Sequence, residues 1–358
     1  MIAVRRLCAA SLIWLVVSAV LPHSTSAQSS PVRGLYNWIH STGDAERSFA
    51  FYHELFGIEL SRSPFAGAAP ANAPPERIRP AGEAGSDPLV WDLTNTHGSR
   101  LRTVFMRAPN SSFGLELSEV FDVPRSERAP NAWDPGAPTL VFTVRDLGAV
   151  VSKVKARGAP VVTVGGNAVD SPHGRAILVR DPDGGLVEVR QGTAAAIAAA
   201  RAPGEVVETS IAISVLKLSR ALEFYRGLLG LAVGDTRTAA ASELRLNGLT
   251  AGRLTQAVVS IPGAAATTVT LSEFTLPQGG AQVAVPFAWR LQDVGSPQFQ
   301  LEVAGLDALM ARTTQAGYRF LSVGGKPIQR PFGRFVFAID PDGVLVEFVE
   351  PVMQRKSI

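Results

Sequence analysis

The stretch Pro172–Glu188, PHGRAILVRDPDGGLVE, recurs later in the chain as Pro331–Glu347, PFGRFVFAIDPDGVLVE. In both copies Asp-Pro-Asp-Gly separates two apolar runs. This order is typical of a tight turn between antiparallel strands, because proline fixes one backbone dihedral and glycine accepts a positive one. A match held in one register over this length indicates an internal duplication.

The beginnings of the two halves also match, at a slightly larger spacing, where Phe51-Tyr52 recurs as Phe224-Tyr225. Apolar residues at intervals of three and four around Phe51 predict a helix with one buried face, and Gly57 is suited to end it. Similar helices and short alternating strands follow in the later part of each half. We therefore predict an α+β fold of four βαβββ modules.

Two segments of unusual composition, one at the N-terminus and one near the middle of the chain, mark the boundaries of the predicted domains. Residues 1–27 contain two arginines followed by an apolar run of about 15 residues, shorter than the roughly 20 that span a bilayer. This pattern predicts a cleaved signal peptide and an exported protein, periplasmic or secreted, with an uncleaved anchor as the alternative. We predict domains at 32–192 and 204–350, joined by an Ala-rich linker at 193–203.

The charge balance argues against a nucleic-acid partner. Removing the two leader arginines from 34 basic residues leaves 32, against 31 acidic ones, and no Lys/Arg stripe is present. The single cysteine, Cys8, lies within the leader. We expect a small-molecule partner, no membrane contact after cleavage, and a homodimer formed through open sheet edges.

The paired modules, with Phe-Tyr ahead of Leu-Phe-Gly or Leu-Leu-Gly and a closing Asp-Pro-Asp-Gly-x-x-x-Glu, resemble the vicinal oxygen chelate superfamily. This superfamily includes proteins of glyoxalase, bleomycin-resistance and extradiol-dioxygenase type. The resemblance covers nearly everything from Val32 to Glu350. It implies two tandem glyoxalase-like domains, in each of which two modules form one open curved sheet (a half-barrel) around a cavity. It implies a fold rather than one function, because a single scaffold supports many chemistries.

The resemblance also implies metal-ligand positions, usually His or Gln on the first strand and Glu on a late strand of each module. These positions are Asn37, Glu116, Thr139 and Glu188 in the first half, and Ser210, Thr270, Gln298 and Glu347 in the second. None is a histidine, so iron or zinc is not expected, whereas oxygen donors suit Mg²⁺, Mn²⁺ or Ca²⁺. We expect either no cofactor or a divalent metal held by Glu188, Glu116 and Glu347.

Other residues are candidates for substrate contact or catalysis. The catalytic candidates are Glu188, Glu116 and His173. The candidates for substrate binding are Asn37, Thr139, Arg175, Trp133, Ser210, Gln298, Arg334 and Glu347. Arg175 and Arg334 could clamp an anion or, as the duplication favours, pair with the Asp of the closing turn. Trp133 and Trp289 could cover a cavity or simply pack. His40 lies an odd number of residues from Asn37, which predicts the opposite strand face.

Three functions remain open at this point. The sequence favours a small-molecule binder without a conventional metal site. The alternatives are a metal-dependent lyase, isomerase or dioxygenase, centred on Glu188 with Glu116, and an interaction module that presents the long loop Ser63–Gly85.

Overall fold

The computed structural model describes residues 30–66, 73–263, 267–277 and 289–352. The predicted leader lies outside these residues. Within them, no helix combines the length and the apolar character needed to cross a membrane.

The first half contains two βαβββ modules. Module 1 consists of β1 (Val32–Ser41), α1 (Ala45–Phe56), β2 (Glu59–Leu60), α2 (Pro88–Thr94), β3 (Arg100–Arg107) and β4 (Gly114–Phe121). Module 2 consists of β5 (Pro138–Val144), α3 (Leu147–Arg157), β6 (Val169–Ser171), β7 (Gly174–Arg180) and β8 (Leu186–Gln191), and α4 (Ala194–Ala199) follows it. Helix α1 begins where the Asp44 side chain accepts a hydrogen bond from the Arg47 N–H at 2.9 Å, and it ends at Gly57 with φ 65°.

The second half repeats the arrangement. Module 3 consists of β9 (Val206–Val215), α5 (Leu218–Leu222), β10 (Ala232–Val233), β11 (Arg237–Thr238), α6 (Ala241–Leu246), β12 (Arg253–Ile261) and β13 (Thr267–Thr275). Module 4 consists of β14 (Pro297–Val303), α7 (Leu306–Gln315), β15 (Arg319–Phe320), β16 (Ile328–Arg330), β17 (Gly333–Ile339) and β18 (Leu345–Pro351). Helix α5 continues as a π-helical segment over Glu223–Leu228.

The strands form two open mixed sheets, which confirms the predicted fold class. Sheet 1 has the order β15-β17-β18-β14-β1-β4-β3-β2, with β16 beside β17. Sheet 2 has the order β10-β12-β13-β9-β5-β8-β7-β6, with β11 beside β12. Sheet 1 therefore joins modules 1 and 4, and sheet 2 joins modules 2 and 3.

This pairing corrects the expectation that the two modules of each half share one curved sheet. The halves meet edge to edge through antiparallel pairs, β1 with β14 and β5 with β9. Modules of the same half instead pack through their helices, as α1 does against α3. Each module therefore has its first strand paired with the first strand of a module from the other half. Without this pairing, the edge of that strand would expose unpaired backbone groups.

Strand alternation gives each sheet a core face and a concave face. The core faces of both sheets and the helices share one apolar core, which includes Trp38, Phe142 and Phe299 from the strands and Phe51 and Phe224 from the helical segments. The other face of each sheet curves around a second set of side chains. The two concave faces are therefore where ligand-binding residues of the strands can meet.

Candidate functional site

Four polar side chains from four strands meet on the concave face of sheet 1. They are Asn37 on β1, Glu116 on β4, Gln300 on β14 and Glu347 on β18. Asn37 Nδ2 donates to Glu116 Oε2 at 3.3 Å and to Gln300 Oε1 at 2.9 Å. Gln300 Nε2 donates to Glu347 Oε2 at 2.8 Å. Two amides thus bridge two carboxylates, and we call these four residues the sheet 1 centre.

The strand register explains why these residues meet. Asn37 lies opposite Gln300 in the β1–β14 pair, and Gln300 lies opposite Glu347 in the β14–β18 pair. A register shift between Leu35 and Asn37 marks an irregularity of β1 at this point. On the other side, Gly114 leaves room for the amide, because a Cβ atom there would lie 2.2 Å from Asn37 Oδ1.

Both carboxyl groups of the sheet 1 centre have raised pKa values. Burial and the charge of Glu347 raise the pKa of Glu116 to about 8. Burial also raises the pKa of Glu347 to about 7, against the hydrogen bond from Gln300. Neither carboxylate forms an ion pair with a Lys, Arg or His among the described residues. Buried carboxylates without a cation are costly, and they concentrate at functional sites.

Apolar side chains surround the centre and keep its dielectric constant low. They belong to one cluster on the concave face, which contains Leu93, Val120, Trp289, Leu291, Ile328, Phe335, Phe337, Leu345 and Val349. Trp289 is buried there and its Nε1 donates to Gly136 O at 3.0 Å. Its role in the described structure is therefore packing against the concave face of sheet 1.

The donor set of the sheet 1 centre fits a hard divalent cation. Its members offer two carboxylates and two amide oxygens, and Mg²⁺, Mn²⁺ and Ca²⁺ prefer such oxygen ligands. The set offers no imidazole or thiolate, which zinc and iron sites usually include. A cation would also remove the repulsion between Glu116 and Glu347.

The concave face of sheet 2 neutralises its carboxylate internally. By strand register the positions equivalent to the sheet 1 centre are Ser210, Thr270, Val141 and Glu188. Of these only Glu188 is acidic, and Arg190 Nε donates to its Oε1. The residue at the position of Arg190 in the other copy is Val349, which is buried and apolar. Sheet 2 therefore has a built-in cation where sheet 1 has none.

A second polar cluster lies on the core side of β1. His40 Nε2 is 3.3 Å from Asp183 Oδ2 and 3.5 Å from Asp181 Oδ2, and by spacing these three residues could hold a metal ion. The aspartate oxygens already accept other hydrogen bonds. Asp183 Oδ2 accepts one from Ser48 Oγ at 2.5 Å, and Asp181 Oδ2 accepts one from the Tyr52 hydroxyl at 2.7 Å. Burial lowers the pKa of His40, but the two carboxylates outweigh it and raise this pKa to about 8. An imidazolium therefore already supplies positive charge between these carboxylates.

The family model of the Glyoxalase/Bleomycin resistance protein/Dioxygenase superfamily matches residues 39–189 and 209–348. The chain belongs to this superfamily. A search of curated proteins found no match. Among solved structures, glyoxalase I from Zea mays is similar at 16% identity, with 88% of this chain and 92% of that chain covered and a TM-score of 0.53. A putative dioxygenase from Bacillus subtilis is similar at 10% identity, with 90% and 86% covered and a TM-score of 0.50. Both likenesses concern the fold.

The superfamily fold brings together only some of the residues expected from the sequence. Asn37, Glu116 and Glu347 meet in the sheet 1 centre, but Glu188 lies on sheet 2, so the expected pairing of Glu188 with Glu116 does not occur. Gln298 lies two residues before Gln300, the β14 residue that belongs to the sheet 1 centre. The Nε2 of Gln298 donates instead to Ser41 Oγ at 3.1 Å.

On sheet 2, Thr139 is displaced in the same way as Gln298. It pairs with Ala212 and Leu186, two residues before the pairing of Val141 with Ser210 and Glu188. Ser210 and Thr270 do take the expected strand positions. A second carboxylate, Glu243 of α6, lines the same pocket as Thr270 and Glu188, but Arg237 Nη1 donates to its Oε2 at 2.9 Å and neutralises it.

The two arginines of the duplicated motif lie away from both concave faces. Arg175 is exposed and its Nε is 3.6 Å from Asp170. Arg334 forms ion pairs with Asp307 at 2.5 Å and with Glu350 at 3.2 Å. By strand alternation, both arginines belong to the core face of their sheets rather than to the concave face. The expected pairing with the closing-turn aspartates was therefore wrong, because the buried cluster around His40 already uses Asp181 in the first half.

His173 and Trp133 lie at the mouth of sheet 2. The Nε2 of His173 is 3.5 Å from an Arg237 Nη2. Burial, followed by the charges of Arg190 and Arg237, lowers the pKa of His173. Trp133 packs against the apolar cluster that includes Leu244 of α6. Neither residue is near the sheet 1 centre.

Two contributors to the sites were not identified from the sequence. Gln300 has the same face parity as Gln298, so alternation alone does not distinguish them. Arg190 could have been found by comparing the two copies, because Glu188-Val189-Arg190 corresponds to Glu-Phe-Val at residues 347–349. That difference indicates which carboxylate is already neutralised.

Proposed function

We propose that this protein is a divalent-cation-dependent lyase or isomerase that acts on a small molecule with two adjacent oxygen atoms. The observation that carries the proposal is the sheet 1 centre, where two amides bridge two largely buried carboxylates that have no ion-pair partner among the described residues. Two buried carboxylates without a counter-charge destabilise the fold wherever they ionise, and a bound divalent cation would offset this cost.

Asn37, Gln300 and Glu347 are the residues that would hold the cation. A bound divalent ion would supply Lewis-acid stabilisation to an oxyanion of the substrate. Glu347 would supply the negatively charged ligand, and Asn37 and Gln300 would each supply an amide oxygen. Three protein oxygens leave further coordination positions for oxygens of the substrate. Their burial excludes bulk water and keeps the electrostatic interactions strong.

Glu116 is the residue that would move a proton. It is partly exposed, whereas Glu347 is buried, so Glu116 is the more accessible of the two carboxylates. It accepts hydrogen bonds from Ser118 Oγ and Asn37 Nδ2, both at 3.3 Å, which orient the carboxylate. Its carboxylate would take a proton from a carbon beside the substrate carbonyl and return it at the neighbouring atom.

Proton exchange tests this proposal directly. With Mg²⁺ in D₂O, we expect the protein to speed exchange of the carbon-bound protons in a panel of α-hydroxycarbonyl compounds, such as hydroxyacetone and dihydroxyacetone phosphate, followed by NMR. Glu116→Gln should lower the exchange rate about a hundredfold or more, because a general base contributes at least that much.

The matched control is Glu188→Gln, which changes the corresponding sheet position of the other concave face and should leave exchange unaltered. Metal binding without exchange of any compound in the panel would contradict the enzyme and favour a protein that binds its ligand through the metal without catalysis. We also propose that the protein is exported through its leader and forms a homodimer through open sheet edges.

A further inference from the structure

The loop between β2 and α2 is the largest difference between the two copies. It extends from Leu60 to Pro88, whereas the corresponding connection extends only from Val233 to Ala241. The described parts of the longer loop, residues 61–66 and 73–87, lie against sheet 1, which also carries the sheet 1 centre. The longer loop and the two carboxylates without an ion-pair partner therefore occur together, and the described part of sheet 2 has neither.

The described parts of this loop form a cleft over the free edge of β3. The cleft has a volume of about 760 Å³, which is within the range of about 300–1,000 Å³ typical of small-molecule sites. Thr103 and Phe105 of β3 form part of its wall. Phe105 lies directly opposite Glu116 in the β3–β4 pair. The cleft thus begins one strand away from the sheet 1 centre.

Two backbone attachments hold the loop on β3. The Ser61 N–H donates to Phe105 O at 2.8 Å, and Gly85 and Leu101 exchange hydrogen bonds at 3.0 and 2.8 Å. Between these attachments, strand alternation turns the backbone N–H and C=O of Thr103 towards the cleft. No backbone hydrogen bond from the loop to Thr103 is present in the described residues.

The wall of the cleft carries more positive than negative charge. Arg62, Arg77 and Arg79 line it together with Glu76. Arg62 is 3.6 Å from Glu76, and Arg77 is 3.3 Å from Glu83 at the rim. Arg79 has no ion-pair partner in the part of the chain that the structure describes. A guanidinium of this kind is suited to bind a carboxylate or phosphate group.

A buried arginine fixes the backbone of Arg79. Arg102 Nη1 donates to Arg79 O at 2.8 Å and to Glu46 Oε1 at 2.6 Å, and Arg102 also forms a buried ion pair with Glu119. Arg102 is among the largest fully buried side chains of the protein. The position from which the Arg79 side chain leaves the backbone is therefore set by the core, which favours a defined binding role for it.

We infer that this cleft binds the anionic tail, a carboxylate or phosphate, of the molecule whose paired oxygens reach the sheet 1 centre, and that Arg79 contacts this tail. The inference rests on the proposed function, because the centre must take the other end of the molecule. It adds a substrate class, an elongated oxygen-rich anion.

Hydroxamates test the inference, since they chelate a metal through two adjacent oxygens. The probes are acetohydroxamate, the monohydroxamate of succinate and phosphonoacetohydroxamate, each titrated calorimetrically into the Mn²⁺-loaded protein. We expect an anionic tail to tighten binding about tenfold in the natural chain, as a charge-assisted hydrogen bond would. Comparison of the last two probes identifies the preferred anion.

Arg79→Gln should reduce this preference to about twofold or less, whereas Arg226→Gln, an exposed arginine of the second half, should keep it. Equal binding of tailed and untailed probes, or an unchanged preference in Arg79→Gln, would overturn the cleft assignment and leave the centre standing. If acetohydroxamate shows no Mn²⁺-dependent binding, the proposed centre fails and the inference fails with it.

Discussion

Glu347→Gln should weaken Mn²⁺ binding by about a hundredfold, because the substitution removes the charged ligand of an otherwise uncharged amide set. The measurement is calorimetric titration of the metal-free protein at pH 8. Affinity in the natural chain should fall as the pH drops from 8 to 6. Protons then compete with the metal, since the pKa values of Glu116 and Glu347 are raised to about 8 and about 7.

Two controls separate loss of a ligand from loss of fold. Glu188→Gln alters the carboxylate at the equivalent position of sheet 2, which Arg190 already neutralises, and should bind Mn²⁺ like the natural protein. Metal-free Glu347→Gln should be no less stable at pH 8, because it removes a buried carboxylate whose ionisation disfavours folding as the pH rises. Equal weakening in both variants would contradict a single centre on sheet 1.

His40→Ile should destabilise the fold by about 3–5 kcal/mol at pH 6. It leaves the buried Asp181 carboxylate without an ion-pair partner among the described residues, whereas Asp183 keeps its ion pair with Arg47 Nη2 at 3.1 Å. The pKa of His40 is raised from 6.5 to about 8 in the folded protein. The stabilisation by the imidazolium is therefore complete below pH 6.5 and is lost as the pH rises through 8. Urea unfolding at pH 6 and pH 9 measures the difference, which should be clearly smaller at pH 9.

The second half shows what this substitution produces. Ile213 takes the position of His40 there, and burial raises the pKa of both Asp340 and Asp342. Asp342 Oδ2 is buried without a hydrogen-bond partner among the described residues. His97→Gln, at an exposed histidine, is the control and should change little at either pH. An equal loss at both pH values would contradict an imidazolium that stabilises the turn.

The fold could be predicted from the sequence because its signals are local. The repeated Asp-Pro-Asp-Gly turns, the helix that ends at Gly57 and the fixed register between copies all act over short segments. The pairing of modules could not be predicted, because it depends on which edges meet between opposite ends of the chain, as those of Asn37 and Gln300 do. Nothing in the periodicity of a strand selects its partner.

The unpredictable pairing of strands also explains why the residues of the sheet 1 centre could be predicted only in part. Residues 298 and 300 share a face, so alternation restricted the choice but could not fix the register that brings Gln300 to Asn37. The sequence favoured a binder without a conventional metal site because none of the expected ligand positions is a histidine. Combining the ends of the chain supplies two amides and two carboxylates, and this combination leads us to propose a metal-dependent enzyme.

The most direct test is anomalous diffraction from crystals of the protein grown with Mn²⁺. We expect one strong peak per chain, in contact with oxygens of Asn37, Gln300 and Glu347 on the concave face of sheet 1. A peak beside Glu188, a peak within the His40, Asp181 and Asp183 cluster, or no peak at the sheet 1 centre would contradict this expectation.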